Sequence, residues 1–203
     1  MSSYKSYTER VTTTIPTICG YRMLPLSLGH IILLKTAKSK FITGEYDLFC
    51  DINKIYEALV NDITLIGEYA FAILVCSTTY DDFQEERGSG KIIEAIEQIK
   101  NNFKKFSLIK EIHNFAHYLR NGTDIPDYQL KNKNESDISV NPVEPEESII
   151  FTLMTECNWS RNDCYNLPLV ESQSAYLLYA HKMETIVLIS KEERELRNKI
   201  GMK

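Results

Sequence analysis

Residues that interrupt regular structure are scarce in this 203-residue chain, which has 8 glycines and 6 prolines. So few breakers argue against a turn-rich β-sandwich and for helices. No stretch approaches the roughly 20 apolar residues that a membrane helix needs. The first residues, MSSYKSYTERVTTT, lack the basic-then-apolar order of a secretory signal, so a cytoplasmic location is expected. Without a secretory route, the sequons at Asn121, Asn134 and Asn158 carry no glycosylation meaning. The five cysteines, Cys19, Cys50, Cys76, Cys157 and Cys164, are odd in number and never spaced C-x-x-C, which suggests reduced thiols rather than a zinc site or a disulfide framework. A basic stripe is also missing, and a net charge of −5 weighs against nucleic acid as a partner. What the chain does have is 43% apolar and 25% charged residues, an ordinary globular balance at a length that supports one full core.

The stretch most clearly built as a unit is WSRNDCYNLPLVESQSAYLLYAHKMETI, residues 159–186. Ser160 and Asp163 form an acidic capping box for a short helix over 161–166, and Pro168 suits the first turn of a second helix over 168–186. Leu169, Gln173, Tyr176, Leu177, Ala180, Met183 and Val187 fall on one stripe of that helix. Trp159, the one tryptophan, is expected to pack at the corner on Leu167, Leu169 and the face carrying Gln173 and Tyr176.

Taken in order, residues 1–22 read as a loose N-terminal arm or an edge strand. A helical domain follows over 23–121. Pro25 opens its first helix, with Leu28, Ile31, Ile32 and the Lys35 stem on one face, and Gly29 marks close approach by another element. A second helix fits Tyr46 to Val60. The apolar run from Tyr69 to Cys76 fits a buried strand or an enclosed helix; its two alanines and helical neighbours select the helix. Tyr80 to Gly90 reads as a charged connector. From Lys91 a helical stripe runs through Ile92, Ile96, Ile99, Phe103 and Phe106 and on to Ile109, Ile112, Ala116 and Leu119, with a break at Ser107. Asn121-Gly122 should stop it, since both residues tolerate the left-handed conformation.

The segment 122–147 holds three of the six prolines and seven acids against two bases, so the net charge of the whole chain resides there. It reads as a flexible acidic linker, with an acidic docking segment as the alternative. A helix from Glu147 to Cys157 opens the C-terminal helical segment, 148–203, which should pack on the main domain. Ser190 and Glu193 form a second capping box before a charged terminal helix. The expected architecture is all-α, an irregular helical bundle with this linker before its C-terminal part.

Candidate chemistry is sparse. His113 and His117 share a helix face, as two metal ligands would, but H-N-F-A-H lacks the glutamate of zinc peptidases and a third ligand. No phosphate-cradling G-x-x-x-x-G-K-[ST] or G-x-G-x-x-G occurs, nor a G-x-S-x-G elbow. The corner at Pro168 has the outline of a helix-turn-helix reader, but its second helix carries two acids, one lysine and no arginine, so phosphate attraction is poor. No catalytic, cofactor-binding or metal-binding residues are assigned, and an enzyme is not expected.

Three stretches, LPLSLGHIILL (24–34), FAILVCSTTYDDF (71–83) and WSRNDCYNLPLVESQSAYLLY (159–179), together resemble small proteins encoded in tail-gene clusters of bacteriophages and prophages that look like tail assembly chaperones. The resemblance implies a non-enzymatic protein that binds the long tape measure protein before the tail tube polymerises around it, with no cofactor. Trp159, Leu169, Tyr176 and Tyr179 are the residues expected to meet such a helical client. The other readings are a structural subunit of a tail or virion complex and a helical enzyme with an unrecognised site; homo-oligomerisation is left open.

Overall fold

The computed structural model describes residues 15–42, 52–123, 128–130, 145–184, 186–188, 196 and 199–200. Within them the fold is all-α, with nine helices and two short two-stranded antiparallel ribbons. At its centre lies the apolar run whose periodicity left helix and strand open. It is a helix, α3 (Ile63–Ser77), capped by Asp62, whose Oδ1 accepts from Thr64 N at 2.8 Å and Leu65 N at 3.3 Å. Enclosure on all sides is why it shows no alternation. Leu65, Tyr69, Ala70, Ala72, Ile73, Leu74, Val75 and Cys76 are all buried.

Helices α1 (Leu28–Thr36), α2 (Ile52–Asn61) and α5 (Gly90–Asn102) pack directly on α3. Helix α2 meets it at 118° and buries Ile55 and Leu59. The expected start of α2 at Tyr46 falls outside the described residues. Helices α5 (Gly90–Asn102) and α6 (Leu108–Gly122) divide where Ser107 was expected to break them, α5 lying along α3 and α6 along α2. Ile99, Ile112, Ala116 and Leu119 are buried as the stripe predicts, while Phe106 and Ile109, at the junction, stay partly exposed. The spacing missed Phe115 and Tyr118. Phe115 stands edge-on to Tyr69, ring centroids 5.5 Å apart, in an aromatic cluster that also includes Phe41 and Phe103 at 5.3 and 5.7 Å from Tyr69.

Several expectations need correction. Residues 17–22, read as part of a loose arm or an edge strand, form the hairpin β1 (Thr17–Ile18) and β2 (Tyr21–Arg22), so the strand alternative holds there, with Ile18 and Cys19 in the core rather than loose. Its turn puts Cys19 at φ 52° and Gly20 at φ 85°, the mirrored geometry that suits strand twist. Cys19 is an uncommon choice there. Long-range bonds hold it in place: Glu111 Oε2 accepts Cys19 N–H at 2.6 Å and Asn102 Nδ2 donates to Cys19 O at 3.1 Å.

Pro25 does not open the first helix. Helix α1 (Leu28–Thr36) begins three residues later at a capping box in which Ser27 Oγ accepts from His30 N and His30 Nδ1 accepts from Ser27 N. Thr79 likewise turns the expected connector into a helix, α4 (Tyr80–Glu86), by accepting from Asp82 N at 3.2 Å. The stop after α6 is where it was expected, but for another reason. Neither Asn121 nor Gly122 has a positive φ, and a Cβ on Gly122 would lie 2.6 Å from Leu26 Cβ. The glycine is there for close packing.

The acidic segment is also shorter than its composition suggests. Helix α7 (Pro145–Glu156) starts at its last proline, where the missing N–H costs nothing. Strand β3 (Tyr128–Leu130) interrupts it, pairing with β4 (Ile186–Leu188) in the register Gln129↔Val187. Ile186 and Val187, assigned to the last long helix, therefore belong to a strand. That helix, α9, spans Leu169–Lys182 after the short α8 (Arg161–Asn166). The mobility expected of the acidic stretch and the second capping box at Ser190 fall outside the described residues. No single described helix is long and apolar enough to cross a membrane.

Candidate functional site

Two Leu-Pro-Leu segments, 24–26 and 167–169, lie 143 positions apart in the chain and meet in space. A proline supplies no N–H, so each segment offers the bonds of its leucine neighbours instead. Leu169 N–H donates to Leu26 O at 2.6 Å and Leu28 N–H to Leu167 O at 3.4 Å, an antiparallel bridge centred on Ser27 and Pro168. Helices α1 and α9 both start from this bridge. Leu24 is tied as well: its N–H donates to Cys76 O at 2.9 Å and its carbonyl accepts from Tyr118 Oη at 2.8 Å.

His30 locks this junction to α3. Because Nδ1 accepts the Ser27 N–H, the proton sits on Nε2, which donates to Thr78 O at 2.9 Å. Burial drives its pKa down to about 4, the Thr78 bond only partly opposing it, so the ring is neutral. A few residues away, Asn166 Oδ1 accepts from Tyr80 N at 3.1 Å and Asn166 Nδ2 donates to Asp81 Oδ2 at 2.7 Å. The Tyr80 and Tyr165 rings stack at 4.3 Å directly over Gly29, where a Cβ would come within 2.8 Å of Tyr165 O. The stretches 24–34, 71–83 and 159–179 are thus distant in sequence and joined in one node. Its bonds point inward, and its work is to fix α1 against α4, α8 and α9.

Two clefts flank the outer side of α1, and Thr36 borders both. One, about 580 Å³, runs between α1 and α7, with Ile32, Ile150, Phe151 and Met154 as its apolar lining. Its rim carries both signs: Lys35 pairs with Glu146 at 2.9 Å, and Glu147 and Arg161 stand beside them. Phe151 is 68% exposed and Met154 39%, while Ile149, Ile150 and Leu153 of the same helix are buried. The apolar arc of this helix is wider than its own core covers, and the excess is left at the cleft. The other cleft, about 520 Å³, lies between the C-terminal half of α1, α4 and the start of α5.

The structure separates the residues expected to meet a client. Leu169 is buried, 4% exposed, and presents no surface. Trp159 is half-buried against the core, as are Tyr176 and Leu167, so the corner reading describes it better than an exposed anchor does. Tyr179 is half-buried near Glu156. None of the four lines the α1–α7 cleft. The residues that do were legible only as an excess: the run Ile149, Ile150, Phe151, Leu153, Met154 is apolar around more of the helix than one stripe requires. His113 and His117 both face solvent, with His117 Nδ1 3.0 Å from Asn121 Nδ2. Among the described residues no cluster of three His, Cys, Asp or Glu could hold a metal ion. Cys19, Cys76 and Cys164 are buried and Cys157 is exposed, all as free thiols. Burial pushes the Cys76 thiol up to about 12, far from the thiolate a nucleophile needs. Comparison of the chain with protein-family models, with curated proteins and with solved structures finds no match.

Proposed function

We propose that this protein is a non-enzymatic binder of an amphipathic helix and, on the strength of its resemblance to tail assembly chaperones, that the client is a tape measure protein held during phage tail assembly. The α1–α7 cleft supports this reading best. It pairs an exposed Phe151 and Met154 with a rim bearing both Lys35–Glu146 and Arg161, which suits a helix that is apolar on one face and charged at its edges. Aromatic and methionine side chains give most contact per residue in such grooves and adapt to different clients.

The test is co-expression with a tape measure protein. It should stay soluble and co-purify with the wild-type chain, and Phe151→Asp or Met154→Asp should abolish capture. Both side chains are exposed, so Tm should move by no more than a few degrees. If the tape measure protein is ignored while the Asp variants still lose binding to another amphipathic helix, the groove stands and the tail-assembly assignment falls. Capture unaffected by both variants removes the groove itself.

A further inference from the structure

The second cleft has a different chemistry from the first. Its apolar walls are Leu33 of α1 and Ala37 just after it, Phe71 of α3, Phe83 of α4 and Ile92 and Ile93 of α5, and residues 87–90 complete the lining. Among the described residues Arg87 is the one charged residue that lines the cleft, and no acidic residue does. The nearest acid in sequence, Glu86, is engaged by Lys91 at 3.5 Å. Ser89 stands before α5 without capping it, its hydroxyl donating instead to Glu86 O at 2.7 Å, and there is open space beside Gly90. A cleft of this volume with an apolar lining and a single cation in it lies in the range of small-molecule sites. A single charge sign in an apolar lining distinguishes its occupant from the helix proposed for the α1–α7 cleft, whose rim is mixed.

We propose that this cleft binds a long-chain carboxylate, its alkyl chain along Phe71, Phe83 and Ile93 and its carboxylate against the Arg87 guanidinium. Arginine suits the role because it presents a paired donor fork to a carboxylate and never loses its charge. The probe is dodecanoate, titrated calorimetrically into the full-length protein below its micelle concentration, with dodecanol as the uncharged control. Dodecanoate should bind at least tenfold more tightly than dodecanol. Arg87→Gln should bring the two to parity, and Ile93→Glu, at an exposed rim position, should abolish both without shifting Tm. Capture of the helical client should be unchanged in either variant, which keeps this inference separate from the function proposed above. No binding of dodecanoate, equal affinity for the alcohol in the wild type, an Arg87→Gln variant that keeps the preference, or displacement of dodecanoate by the helical client would each overturn it.

Discussion

At the scale of single residues, three glycines and a histidine show how surroundings set the sign of an effect. In a helix interior Gly→Ala ordinarily gains about 0.5–1 kcal/mol by restricting the unfolded chain. Gly67, with nothing near its would-be Cβ, should behave that way in α3. Gly29→Ala should do the opposite and cost about 1–3 kcal/mol, because the new methyl meets Tyr80 and the Tyr165 carbonyl. Urea unfolding of both variants checks the pair; a stabilised Gly29→Ala would mean that the Tyr80–Tyr165 stack yields freely. Gly122, packed on Leu26, should follow Gly29. For His30 the linkage runs through its neutral form. Above pH 6.5 folded and unfolded chains both carry it uncharged, and no stability depends on it. Between 6.5 and about 4 only the unfolded chain takes up the proton, so stability falls as pH falls, by roughly 3 kcal/mol over that window from this group. His30→Gln, which can still close the capping box and donate to Thr78, should flatten that part of the pH profile. An unchanged slope in the variant assigns the acid sensitivity to other groups.

At the scale of elements, caps and corners explain most of what the chain does between helices. Ser27, Asp62, Thr79 and Ser160 each accept a first-turn N–H and set where α1, α3, α4 and α8 begin. The Ser160–Asp163 box was legible because serine and an acid three residues apart is a local pattern. The Ser27 box was not, since its third position is histidine, and the start at Thr79 was missed because Tyr80 to Gly90 reads as a charged connector. Trp159 belongs to this scale. The Trp159 side chain is half-buried where α7 turns into α8, and the residue's backbone N–H donates to Leu153 O at 3.3 Å. Trp159→Ala should therefore cost about 2–3 kcal/mol, somewhat below the range for a fully buried tryptophan. Thermal unfolding reads it directly. A variant that melts like wild type and has lost its client would move Trp159 from the corner to the binding surface.

At the scale of the whole molecule, the paired Leu-Pro-Leu segments join parts of the chain 143 positions apart. The bonds Leu169 N–H to Leu26 O and Leu28 N–H to Leu167 O break only if α1 and α9 separate, so both amides should exchange hydrogen at one common slow rate, close to that of α3. Leu169 and Leu28 exchanging together but much faster than α3 would show that 161–182 opens as a unit of its own. The sequence by itself determined the all-α class, the location of α3, α5, α6, α7 and α8, and much of the apolar stripe on each, because caps and three-to-four spacing act within a few residues of one another. Only the tertiary structure decided that residues 17–22 fold into the core, that Leu130 pairs with Ile186, and that Phe151 and Met154 are left facing a cleft. Those outcomes rest on contacts between residues far apart in the chain: Glu111 holding Cys19, Leu26 filling the space beside Gly122, Pro168 lying against Ser27. A local pattern carries no record of a distant partner, and the same apolar residue reads alike whether another helix covers it or none does.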